Sequence, residues 1–283
     1  MLHPAQRFRA PTTITAGSPL KHLFDAQAIC LIGESFVGVV PGFDADRFGS
    51  DAEQGLASLS LSKRAAHISR CMARQFPEDF SQAARFLIAS FGPPLLTTEG
   101  NGLAPFFYLP HAFFIAARGV DWFADGMQAN YELTKRFTAE FSIRPFLVRY
   151  PGECLALLAT WVRDPDPHVR RLISEGTRPR LPWAPRLVEF QREPAPLLPL
   201  LEQLKDDPVE YVQRSVANHL GDLAKDHPMM VFAICRRWAE EAESLDPPRA
   251  KSRRWLLRHA VRLPAKKGHR QALEIRRLAA IQR

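Results

Sequence analysis

The sequence predicts an all-α fold, a solenoid of paired helices, and three observations carry that expectation. A motif recurs at an interval of 43 residues: Asp164-Pro165 precedes Val169–Glu175, and Asp207-Pro208 precedes Val212–Asn218. Runs that alternate apolar and polar residues, the mark of half-buried strands, are nearly missing. The 283 residues include 24 prolines, which a helical protein accommodates at helix starts and in the breaks between short helices. A hydrophobic content of 46% is enough to bury a sizeable core.

Residues 1–18 contain Pro, Thr and Gly without a period and are expected to form a disordered or loose arm. One domain is expected over 19–283, with leading helices over 19–101 and the repeats over 102–283. Leu20, Leu23, Phe24, Ala28 and Leu31 fall at helical spacing. Residues 37–48 carry Pro and Gly and read as a connection, with helices resuming over 51–59, 62–75 and 77–91. The most apolar run, 104–117, is interrupted by Pro110 and His111 and is too short to span a bilayer. The first twenty residues lack the apolar segment of a secretory signal.

A weaker third copy of the repeat aligns Leu256–Ala260 with Val216–Leu220 at an offset of 40. A period near 40 built from two helices is HEAT-like, and stacked pairs of that kind build a right-handed superhelical solenoid. Asp-Pro is expected to start the second helix of each pair, with Asp supplying the capping oxygen and Pro the first turn. Equivalent positions then form a row along one face: Glu175, Asn218 and Arg258, and one turn later Pro179, Asp222 and Arg262. The row is polar, so it reads as a working surface.

The net charge of +8 is unevenly placed. Residues 249–283 hold 12 Lys and Arg against the single acid Glu274, and the rest of the chain is slightly acidic. Trp255 and two histidines are interleaved with these bases, a pattern that suits phosphate; a solvated helical face is the plainer reading. Cys30, Cys71, Cys154 and Cys235 lie far apart, without a Cys-x-x-Cys pair, and read as buried free thiols. Nucleotide-binding, zinc-protease and serine-hydrolase motifs do not occur.

Glu175 precedes Gly176, which reads as a C-cap glycine. A carboxylate there opposes the partial negative charge of a helix C-terminus, so it is either paired with Arg171 or Arg178 or functional. Arg178-Pro179-Arg180-Leu181-Pro182-Trp183 reads as a rigid, basic, extended loop, with arginines shaped for phosphate and Trp183 offering a face to sugar or base. Trp161, among Leu157, Leu158 and Val162, reads as core. Spacing alone makes Glu140 an i,i+4 helical partner of Arg144, and makes Asp222 a partner of Lys225.

Phe137–Arg144, Val169–Trp183 and Asn218–Pro228, with the more degenerate Phe43–Phe48 and Leu59–Arg64, resemble the AlkC-type DNA alkylation repair glycosylases of the HEAT-like-repeat superfamily. The resemblance implies base excision repair: hydrolysis of the N-glycosidic bond of cationic alkylated bases such as 3-methyladenine and 3-methylcytosine in duplex DNA, without base flipping. It assigns Glu140, Glu175 and Asp222 as active-site acids, Trp183 as the sugar or base contact, and Arg171 as an arginine beside the groove. With the basic loop and tail, the DNA-binding set is Arg171, Arg178, Arg180, Asn218, Arg253, Arg254 and Arg258. A monofunctional enzyme follows, cytoplasmic and monomeric, with double-stranded DNA as partner and with no cofactor, metal or membrane. Many members continue into an immunoglobulin-like sandwich, and the expectation here is a variant without it. The alternative from another class is a non-catalytic HEAT scaffold that binds nucleic acid or protein.

Overall fold

The computed structural model describes residues 1–14, 17 and 19–280. Thr15, Ala16 and Ser18 of the expected arm, and Arg283 of the basic tail, lie outside the described residues. The expected fold class holds: among the described residues the regular structure is entirely helical. The chain divides into two compact units, 1–149 and 150–283.

The first unit contains α1 (Pro4–Arg7), α2 (Ala26–Phe36), α3 (Ala45–Glu53), α4 (Leu61–Ala73), α5 (Phe80–Ala89), α6 (Leu109–Arg118), α7 (Phe123–Thr134) and α8 (Arg144–Arg149). Asp25, Asp44 and Asp79 cap α2, α3 and α5 by accepting from the backbone N–H groups of Ala28, Arg47 and Gln82, each satisfying a donor that a helix start leaves open. Helix α3 begins inside the expected connection because Asp44 can cap it. The helix expected over 51–59 is broken instead, since Gly55 takes a left-handed turn (φ 71°) that ends α3 and leads into a 3-10 turn, Leu56–Ser58. Near the N-terminus, His3 Nε2 lies 3.1 Å from the Ser90 carbonyl oxygen, and Phe8 is buried against Phe107. His111 is fully buried among Phe36, Phe91, Phe107 and Tyr108, with no hydrogen-bond partner on either ring nitrogen among the described residues. Burial, with a smaller push from His3, lowers its pKa to about 3.

The second unit contains α9 (Pro151–Trp161), α10 (Pro167–Gly176), α11 (Val188–Arg192), α12 (Leu198–Leu204), α13 (Glu210–Leu223), α14 (Pro228–Glu241), α15 (Pro247–Ala260), α16 (Arg262–Lys266) and α17 (Arg270–Leu278). Proline occupies the first turn of α9, α10, α12, α14 and α15, where its missing N–H is harmless. Helix α10 packs on α13 and α13 on α15, while α9, α12 and α14 pack behind them as the other member of each pair. The apolar face is continuous through Val169, Leu172, Val216, Leu220, Leu256 and Leu257, all essentially buried.

The Asp-Pro register differs from expectation. The pair that starts α10 is Asp166-Pro167, whose carboxylate accepts from His168 N at 2.8 Å. Asp207 does not cap α13; it takes a two-pronged ion pair from the buried Arg170, at 2.6 and 3.1 Å. A further Asp-Pro, Asp246-Pro247, caps α15 through Arg249 N. Trp161 ends α9 half-buried instead of fully in the core. Cys71, Cys154 and Cys235 are buried free thiols as expected, whereas Cys30 is exposed.

Candidate active site

Helices α10 and α13 each deliver a carboxylate one residue before they end, Glu175 and Asp222. Both sit where a helix's free carbonyls make the potential negative. The compensating charge is Arg178, just beyond α10. Its Nη1 donates to Glu175 Oε1 at 2.6 Å and its Nε donates to Asp222 Oδ2 at 2.8 Å. Ser215 Oγ donates to Glu175 Oε2 at 2.6 Å, and Lys225 Nζ to Asp222 Oδ1 at 2.9 Å. Arg171 Nη2 stands 3.5 Å from Glu175 Oε1 and its guanidinium lies over the Tyr211 ring. All four carboxylate oxygens are thus fixed by donors. Glu175, Asp222 and Arg178 are each buried, between 4% and 8% exposed.

Burial works to raise the pKa of Glu175, but Arg171 and Arg178, with the hydrogen bonds from Ser215 and Arg178, outweigh it and hold the carboxyl below the usual carboxylate range. Burial likewise works to lower the pKa of Arg178, and the two acids reverse it, so its pKa is raised. Beside them His219 is fully buried, with Nδ1 2.9 Å from the Ser174 carbonyl oxygen. Its pKa falls to about 4, through burial first and the Arg178 charge second.

The loop after α10 is stapled to the neighbouring repeat. Gly176 is the last helical residue and not a left-handed C-cap; Thr177 closes the helix by donating Oγ1 to the Ile173 carbonyl at 2.6 Å. Arg180 donates twice to Asp226, at 2.8 and 2.6 Å. Between the staples and α11, Ala184 N donates to Leu181 O at 3.4 Å, closing a turn with Pro182 and Trp183 at its centre. Trp183 has φ 63°, the one non-glycine residue with positive φ among those described, and it is 85% exposed. Its position in the turn favours glycine or asparagine, and a bulky residue there costs about 1–2 kcal/mol. An indole held in that conformation and turned to solvent is a candidate for contact with a ligand.

The row expected from equivalent positions is realised in part. Asn218 Oδ1 lies 3.0 Å from both His259 Nε2 and Arg262 Nη2, and Trp255 stacks on His259 with ring centroids 5.1 Å apart. Arg258 instead turns to the Ala279 carbonyl and leaves the row.

The expected DNA-binding arginines fare unequally. Arg178 and Arg180 are engaged by acids of the next repeat, and Arg253 is 2% exposed, paired with Asp206 and with Glu241. These three are structural cations here: Arg178 neutralises two buried acids, Arg253 is itself buried against half-buried Asp206 and Glu241, and Arg180 pairs with Asp226 nearer the surface. Arg171, Asn218 and Arg254 are half-buried. Among the described residues the exposed bases of the tail are Arg249, Arg262, Arg270, Arg276 and Arg277, together with Lys251, Lys266 and Lys267.

Glu140 belongs to the first unit. It lies in a turn before α8 and not on a helix. Thr138 Oγ1 donates to Glu140 Oε2 at 2.6 Å. The sequence reading does not single out Ser215 or His219, although Ser215 follows Glu175 by one repeat length and that interval is the available signal. Among the described residues no helix is long and apolar enough to cross a membrane, and no three His, Cys, Asp or Glu side chains group as metal ligands.

No family model matches the sequence. The uncharacterized protein YhaZ of Bacillus subtilis is 28% identical over 257 residues, covering 90% of this chain and 67% of that one. The alkylpurine DNA glycosylase AlkC of Pseudomonas fluorescens, solved bound to DNA containing an abasic site analog, matches with a TM-score of 0.78 and 35% identity, over 93% of this chain and 69% of that one. With that identity, coverage and shared helical fold, the chain belongs to the AlkC family of alkylpurine DNA glycosylases.

Proposed function

We propose that the protein is a monofunctional DNA glycosylase that releases cationic alkylated bases, of the 3-methyladenine and 3-methylcytosine class, from duplex DNA in the bacterial cytosol. The observation that carries this reading is Glu175, a carboxylate kept ionised while 5% exposed, in a chain of the AlkC family. A methylated cationic base leaves as a neutral molecule, so the reaction needs no general acid. The C1′–N bond breaks with its electron pair passing to the base, and positive charge develops on the sugar. Fixed carboxylates in a water-poor site stabilise that charge without reorganising. Water then adds its oxygen to C1′ and loses a proton through a carboxylate to solvent. In this reading Glu175 and Asp222 stabilise the sugar cation and Trp183 supplies the aromatic contact. The strained, exposed Trp183 supports a mechanism in which the damaged nucleotide stays stacked in the duplex and is approached from outside.

Incubating the protein with methylated duplex DNA and separating the released bases tests the reading. Release of 3-methyladenine or 3-methylcytosine is expected, unaffected by EDTA and without a borohydride-trapped adduct, since a lyase needs an amine that forms a Schiff base. Tight duplex binding with no released base would favour the scaffold reading instead.

A further inference from the structure

We propose that Arg178 is a positioning residue: its guanidinium fork holds Glu175 and Asp222 at one fixed separation and orientation for the sugar cation, and it does not bind phosphate. The inference rests on the glycosylase reading above. Two different nitrogens of the fork serve the two acids, Nη1 at 2.6 Å and Nε at 2.8 Å. The two carboxylates come from neighbouring repeats whose helices pack directly, so the backbones are set by that packing and the relative placement of the two side chains by the group that bridges them. A planar guanidinium bridges two acceptors in one fixed geometry; an ammonium can bridge two acids too, but its rotatable donors on a flexible stem do not fix their separation and orientation. Arg178 is 8% exposed, which removes it from the phosphate path. The opposite ends of the acids are held by Ser215 and Lys225, so Arg178 is the shared link in a fully satisfied network.

Arg178→Lys is the test, with three readouts. Single-turnover excision at saturating protein should fall at least about tenfold. Affinity for a duplex with a neutral tetrahydrofuran abasic analogue, and its salt slope, should stay the same. The wild-type preference for a duplex with a cationic pyrrolidine analogue over the tetrahydrofuran duplex should shrink, because the acids no longer converge on the cation. In combination with Glu175→Gln, the lysine variant should be no slower than Glu175→Gln alone, as residues acting through one another are not additive. Should Arg178→Lys not fold, Arg178→Gln with Glu175→Gln removes one buried charge of each sign and carries the same cycle. An unchanged rate and preference, additive losses, or a salt slope reduced by about one unit would each overturn the proposal, the last by making Arg178 a phosphate ligand. A wild type that neither excises base nor prefers the cationic analogue would instead defeat the glycosylase reading, and that result needs no variant to be seen.

Discussion

Ser215 Oγ donates a hydrogen bond of 2.6 Å to Oε2 of Glu175, from the helix that stacks on the one carrying the acid. It is one of the contacts that keep a buried carboxylate charged. Glu175 has a lowered folded-state pKa, so its stabilising contribution is present above the ordinary carboxylate value and is lost as pH falls through the folded one.

Ser215→Ala should therefore destabilise the protein by about 1–3 kcal/mol near pH 7, the usual range for a hydrogen bond to a charged group. The deficit should shrink in acid, once Glu175 is protonated in both proteins. Denaturation midpoints measured across that range check the sign; a deficit that grows toward low pH would mean that the hydroxyl supports something other than the ionised acid.

Trp183 separates stability from function. Asn tolerates the left-handed region better than Trp, and the indole, 85% exposed, gives up little packing. Trp183→Asn should leave thermal stability unchanged or raise it slightly. Affinity for an abasic-analogue duplex should weaken about tenfold or more, in line with the ~1–3 kcal/mol of an aromatic contact to nucleic acid. Lost stability with unchanged affinity would return Trp183 to a structural role.

Two histidines make the fold acid-sensitive. His219 and His111 have folded pKa values of about 4 and about 3, both below the ordinary 6.5. Between those values and 6.5 the unfolded chain binds more protons, so stability rises with pH through the window and falls as the pH drops. Each contributes on the order of 3 kcal/mol to that fall. His111→Leu removes two unpartnered buried nitrogens and should flatten the acid limb without loss of stability at pH 7.5. Urea titrations at pH 5 and pH 7.5 decide it; an unchanged slope between the two would contradict the assignment.

The basic tail splits into structural and exposed members. Arg253→Ala should cost several kcal/mol, on the order of 3, because Asp206 and Glu241 lose the cation between them. Arg270, Arg276 and Arg277 changed together to Ala should leave the melting temperature in place and flatten the salt slope of duplex affinity by about one unit per lost contact. A salt slope that responds to Arg253 alone would redraw the DNA path.

What the sequence could and could not reveal follows from the range of each interaction. The repeat, its prolines and the apolar row of α10, α13 and α15 are local patterns, and they were legible. The suspicion attached to Glu175 was also local, a negative group at a negative helix end. The partners that decide the arginines are distant: Asp222 lies 44 residues from Arg178, and Asp206 lies 47 from Arg253. Without the fold, an arginine bridging buried acids and one awaiting phosphate look the same. The capping register slipped for a similar reason, since Asp207 pairs with Arg170 from the preceding repeat and accepts from Val209 N just ahead of α13, not from a helical N–H. The backbone of Trp183 was invisible because nothing in Leu-Pro-Trp-Ala announces a positive φ.

Glu175→Gln bears most directly on the central claim, because it removes a charge while keeping volume and the contact with Ser215 within reach. Single-turnover release of 3-methyladenine from methylated duplex DNA should fall roughly a hundredfold, matching the ~3 kcal/mol that one fixed electrostatic group supplies to such a transition state. Affinity for the abasic-analogue duplex should stay within a few-fold of wild type. A variant that folds, binds and excises within a few-fold of the wild-type rate would take Glu175 out of the mechanism.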